Sequence, residues 1–313
     1  MKQYFRMYKK HPKAVALRIL VTTAAALTVL VLFSLVFYIL IKGIPNLKPS
    51  LFEWKYTSKN ASMMPAIINT ITMVLMTLLI AVPFGIGSAI YLTEYAKRGN
   101  KVVPVIRMTT ETLSGIPSIV YGLFGYMAFV RWLGGYSLMA GIITLAIMIL
   151  PLIMRTTEEA LLAVPDSYRE GSYGLGAGRL RTIFRVVLPS AMPGILSGVI
   201  LGVGRIVGET AALIYTAGSV TGLPDSLMSS GRTLAVHMYA LLSEGLYTDE
   251  AYATAVVLLV LFAVWPNKRR DALRAPFVGH NCAHRGYFGK DQRPPENSLP
   301  AFAAAAQNGY GIE

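Results

Sequence analysis

Charge is scarce in this sequence. Of its 313 residues only 14% are Asp, Glu, Lys or Arg, whereas 54% are hydrophobic. A soluble globular domain carries roughly 25% charged residues, so this deficit excludes an ordinary soluble fold. Cysteine is nearly absent. The single Cys282 excludes an internal disulfide and any cysteine-cluster metal site. The four histidines, His11, His237, His280 and His284, are too scattered for a metalloprotease-type pair. No G-x-x-x-x-G-K-[ST] nucleotide loop occurs, so ATP and magnesium, if used, belong to another chain and this one carries no cofactor of its own.

What is present comes in long apolar blocks. Spans are expected at about 20–41, 63–92, 103–130, 138–154 and 191–217, with a sixth from about 251 to 265. The first block follows a basic segment (Lys2, Arg6, Lys9, Lys10, Lys13, Arg18). It is longer than the apolar core of a cleaved signal, so a retained span is expected. The sixth block is short for a hydrocarbon core of about 30 Å, and Pro266 followed by Asn-Lys-Arg-Arg is expected to end it. The net charge of +13 matches the positive-inside rule rather than a nucleic-acid partner: with both termini cytoplasmic, nineteen Lys and Arg fall inside and six outside. The expected fold class is therefore an all-α membrane protein of six spans, in the cytoplasmic (inner) membrane and in contact with lipid. Its parts are a basic N-terminus (1–19), a transmembrane domain (20–265), a basic junction (266–277) and a C-terminal tail (278–313).

The segment between the fourth and fifth blocks holds the most specific pattern. EGSYGLGA at 170–177 is followed by VVLP at 186–189. Pro165 and Asp166 open a short helix with an acidic first turn, and Gly176 and Gly178 can end it. A short surface helix with glycines that admit another surface suits docking into a groove of a partner. The spacing resembles the E-A-A-x3-G-x9-I-x-L-P loop of ABC importer permeases. Glu170, Gly171, Ser172, Gly176, Leu188 and Pro189 stand at the matching places, with Gly171 and Ser172 replacing the two alanines and Val186 the isoleucine. The resemblance implies a type I ABC importer permease fold and docking of the loop at 155–189 onto an ATPase subunit.

Three further stretches sharpen it: ETLSGIPSIVYGLFG at 111–125, TEEALLAVPDSYRE at 157–170 and GRIVGETAAL at 204–213. Together they resemble the A-type permease of Pst phosphate importers over about residues 14–262. That resemblance implies a heterodimer with a C-type permease, an ATPase dimer, an extracytoplasmic phosphate-binding protein and inorganic phosphate as cargo. The residues lend their own support. Arg205 lies in an apolar block, where a charge costs about 3 kcal/mol or more, and arginine matches phosphate oxygens bidentately. Glu209, four residues on, is expected to share its helix face and fix its rotamer; a purely structural pair is the alternative. Arg155 could join the pathway or merely anchor the fourth span. Gly194, Gly198 and Gly202 form a small-residue row for close helix approach, within the subunit or toward the partner permease.

The tail has a different character. AHRG at 283–286, PENSLPAF at 295–302 and GIE at 311–313 resemble the opening of a glycerophosphodiester phosphodiesterase. The resemblance implies a catalytic acid/base at His284, a phosphate contact at Arg285 and a metal ligand at Glu313. The remaining ligands would lie beyond Glu313, so no hydrolase activity is expected and a chimeric or truncated frame is the reading. The rival functions are a permease for another oxyanion, such as sulfate or molybdate, and a membrane-anchored phosphodiesterase fusion.

Overall fold

A computed structural model describes residues 12–97, 99–274, 282–283 and 311–312. It divides into two units, Met1–Phe262 and Ala263–Glu313. In the first, helix α1 (Pro12–Gly43) leads through two 3-10 turns, Ile44–Asn46 and Pro49–Phe52, to α2 (Met64–Ile90), which runs on into a π turn, Tyr91–Tyr95. Next come α3 (Val102–Ser114), α4 (Ser118–Gly125, continued by a π turn, Tyr126–Val130) and α5 (Leu138–Leu162). Short helices α6 (Asp166–Gly174) and α7 (Arg179–Thr182) and a third π turn, Ile183–Val187, precede α8 (Leu188–Val207). A four-residue helix α9 (Ala211–Ile214), then α10 (Leu234–Glu244) and α11 (Thr248–Arg274) follow, the residues of α11 after Phe262 belonging to the second unit. In the second unit the described strands are two residues each, paired in parallel as Cys282 with Gly311 and Ala283 with Ile312.

Helix α5 is the axis of the first unit. It starts cleanly because Ser137 accepts a hydrogen bond from the Ala140 amide. It packs along α2 on one side and α8 on the other. Met73 of α2, Ile142, Leu145 and Ile149 of α5, and Val203 and Ile206 of α8 interlock in the main core. A second cluster, toward the C-terminal end of α5, joins Ile90 and Leu92 to Leu161, Ile183 and Ile195. By contrast, α1 leaves its apolar surface exposed along most of its length and meets the rest near Gly43, which lies against Tyr252 and Val256.

Four helices are long and apolar enough to cross a membrane, and a bent pair makes a fifth candidate among the described residues. The third span is not straight as expected: Val102–Ser114 and Ser118–Leu133 meet at 99°. Pro117 lacks an amide proton and disfavours helix at the residue before it, which breaks the run between them. The fifth span also differs. Its helix ends at Val207, not near 217, and the chain beyond passes through α9 and a loop into α10, a helix that sequence reading did not anticipate. The sixth helix, α11, continues beyond Pro266 to Arg274 instead of ending at Trp265.

Candidate functional site

The loop between α5 and α8 is held by local hydrogen bonds. No residue of α6 is fully buried, although Arg169 is tucked against the domain. Its N-cap is Pro165, which offers no side-chain acceptor; Asp166 instead accepts from Arg169 Nη1 at 3.2 Å. The far end is a Schellman closure. The Gly176 amide donates to Tyr173 O at 2.9 Å and the Ala177 amide to Ser172 O at 3.1 Å. Gly176 adopts φ +82°, which a side chain would strain, whereas Gly178 is extended and opens α7. Glu170, Gly171 and Pro189 are exposed, and Ser172 and Leu188 half-buried. Leu175 at the tip is 91% exposed, flanked by exposed Tyr168, Tyr173, Leu180 and Phe184. Ser172 meets Thr182 hydroxyl to hydroxyl at 2.8 Å, and a cavity of about 350 Å³ beside them is lined by Arg181 and Arg185. The tip is thus apolar and exposed, with Arg181 and Arg185 lining the cavity next to Ser172.

Arg169 was not singled out by sequence reading, although it stands next to the Glu170 that was. Its guanidinium reaches Glu94 Oε1 from Nη2 at 2.7 Å and from Nε at 3.1 Å. Glu94, in the π turn at the end of α2, is only 6% exposed.

Arg205 lies in the last turn of α8, half-buried and close enough to Tyr121 of α4 to act on it electrostatically. Among the described residues no carboxylate lies within 4.0 Å of it. The expected pairing with Glu209 does not form, because α8 ends at Val207 and Glu209 falls in the break. There the buried Glu209 accepts from the Ala212 amide at 3.0 Å and holds the start of α9. Arg155 is 56% exposed near the end of α5, paired with Glu159 at 3.1 Å and approached by Glu111 at 4.0 Å. Glu111 therefore leans toward α5 and not toward Arg107, which pairs with Glu158 at 2.5 Å. These crossings stitch α3 to α5 around a cavity of about 230 Å³, some distance along α5 from the level of Arg205.

The glycine row of α8 faces α5 of the same chain. Gly194 abuts Ala160, Gly198 abuts Thr156 and Gly202 faces Ile153. His284, Arg285 and Glu313 lie outside the described residues, and among those described no cluster of His, Cys, Asp and Glu could hold a metal.

A second buried cluster lies outside the membrane-spanning helices. The Arg232 guanidinium sits 4.8 Å from the Tyr56 ring, and Tyr56 meets His237 edge-on at 6.1 Å. Burial, reinforced by the Arg232 charge, pushes the His237 imidazole down to about 3. Between that value and the usual 6.5 the unfolded chain binds a proton that the folded one refuses. Stability therefore falls as pH drops through this window, by roughly 1.4 kcal/mol per unit. Melting of the solubilised protein at pH 7.5 and 5.5 is expected to show this loss, and His237→Leu to reduce it. An equal pH dependence in both proteins would assign the loss to other groups.

Comparison with known proteins adds the following. A family model described as "binding-protein-dependent transport system inner membrane component" matches residues 81–266. The probable ABC transporter permease protein YqgI of Bacillus subtilis is 35% identical over 260 residues, covering 77% of this chain and 87% of the relative. The phosphate transport system permease protein PstA of Pasteurella multocida is 40% identical over 185 residues, 58% of this chain and 66% of the relative. Among solved structures, a chain of a bacterial ABC transporter involved in alginate import aligns with a TM-score of 0.58 at 16% identity, over 85% of this chain and 98% of that one. A chain of the inward-facing methionine transporter MetNI aligns at 0.51 and 20% identity, over 77% and 97%.

Proposed function

We propose, from the premise that this chain belongs to the binding-protein-dependent transport system inner membrane components, that it is the A-type permease of an inorganic phosphate importer. Its fold is that of type I ABC importer permeases, and it is a multi-pass membrane subunit of an ABC importer rather than an enzyme. Permeases of this family work with ATPase subunits and an extracytoplasmic binding protein. For this chain we take the partners to be a C-type permease, an ATPase dimer and a phosphate-binding protein, with both termini on the cytoplasmic side.

The observation that carries the phosphate reading is Arg205. A guanidinium in a membrane span without a carboxylate partner is costly, and an oxyanion in transit offsets that cost by accepting its planar fork of donors. The similarity to permeases named for phosphate transport supports the same cargo. Energy enters through the loop at 155–189: closure of the ATPases pushes α6 by way of Leu175 and its neighbours, and the spans rock to open the other side. Glu170, Gly171, Ser172, Gly176, Leu188 and Pro189 shape that contact. Arg155, already held by Glu159, serves in this account as a cytoplasmic anchor.

The test is labelled phosphate uptake by cells that lack their own A-type permease and are supplied with this chain and the remaining subunits. Uptake that excess sulfate and molybdate fail to compete supports the reading. Competition by either anion would assign the chain to that oxyanion, and absence of any uptake would count against an importer of this class.

A further inference from the structure

The contact between α6 and the body of the domain is narrow and specific. Arginine has five N–H donors, and Arg169 places all five. Nε and one Nη2 proton go to Glu94; the other Nη2 proton goes to Leu161 O at 2.9 Å. The two Nη1 protons go to Val164 O at 2.8 Å and Asp166 Oδ1 at 3.2 Å. One side chain thus fastens α6 to the last turn of α5 and to the π turn that ends α2. Both charges are largely out of water, at 14% and 6% side-chain exposure, so the pair holds only while this geometry is kept. The exit of the loop grips the same turn, with the Arg179 guanidinium 5.0 Å from the centre of the Tyr95 ring. A π turn is a local departure from the regular helix ladder, a place where a helix can change register.

We infer that Arg169 is a positioning residue that passes movement of α6 into the end of α2 through Glu94. The inference rests on the reading above, in which the ATPases push α6. In it, α2 is driven directly and does not merely follow α5 and α8. Lysine cannot replace Arg169, because it has three donors on a point charge and cannot span the carboxylate and the two carbonyls together.

The test uses the assembled complex in liposomes with radiolabelled phosphate. Glu94 lies away from the docking surface. Glu94→Gln keeps an acceptor without the charge, and Glu94→Ala removes both. The phosphate carried per ATP hydrolysed is expected to fall about 3-fold in the first and about 10-fold in the second, because ATP is then spent without moving α2. A fall of uptake and hydrolysis in parallel, or no fall in either variant, overturns the inference. If Glu94→Ala fails to assemble, Glu94→Gln decides.

A second readout does not depend on the cargo. Spin labels at Ser167 and Tyr91, both exposed, in a Cys282→Ser background, report whether α6 and the π turn move together when ATP is added. A separation that stays fixed in the otherwise unaltered protein and changes in Glu94→Ala supports the link. A separation that changes alike in both overturns it. A complex that carries no phosphate but keeps this fixed separation would refute the cargo and leave the link standing.

Discussion

Arg205→Ala is expected to lower phosphate uptake about 100-fold while the complex still assembles. Two charge-assisted hydrogen bonds lost from a passing oxyanion are worth about 3 kcal/mol together, and each 1.4 kcal/mol is tenfold. Assembly should survive because Arg205 is half-buried and holds no carboxylate partner among the described residues, so its removal leaves no opposite charge stranded. Arg205→Lys keeps the charge and loses the planar fork, and its uptake should fall between the two. The measurement is initial uptake rate normalised to the amount of purified complex. Undiminished uptake in Arg205→Ala would remove this residue from the pathway.

Gly198→Leu is expected to abolish folded protein. A Cβ at residue 198 would collide with the Thr156 side chain, coming within 2.6 Å of its Cβ. Thr156 cannot easily turn aside, because its hydroxyl is bonded to Leu152 O at 2.9 Å. Relief requires α8 to separate from α5, which dismantles the interlocked core described above, at about 3 kcal/mol or more. Gly135→Ala is the matched control: nothing lies within 4 Å of its Cβ position and its φ is not positive. Size-exclusion chromatography and melting of the solubilised proteins compare the two. A monodisperse Gly198→Leu protein that melts like its parent would contradict this packing.

These effects show which parts of the structure were legible in the sequence. The apolar blocks located α2, α5 and α8 because hydrophobic length is a local property. The loop spacing likewise located α6 and its closing glycine, since Gly176 answers to a backbone conformation and not to a distant partner. The kink before α4 was visible as Pro117 but was outweighed by the continuous apolar run around it.

The end of α8 was harder to foresee. Arg205 and Glu209 have the i, i+4 spacing of a helical pair, and that spacing masks the local stop signal between them, Gly208 at the C-cap. Glu209, accepting from the Ala212 amide, then holds the start of α9. The Arg169–Glu94 link joins positions 75 apart in sequence, and the Arg232–Tyr56–His237 cluster is similarly non-local. Such contacts are properties of packing, for which a single sequence has no period or spacing rule.

The most direct test of the account is vectorial transport by the purified complex in liposomes, with ATP supplied to the ATPase subunits and labelled phosphate and the binding protein on the other side. The account predicts accumulation of phosphate that requires ATP, requires the binding protein and is lost in Arg205→Ala. Accumulation of sulfate in its place, or phosphate movement that proceeds equally without ATP, would contradict it.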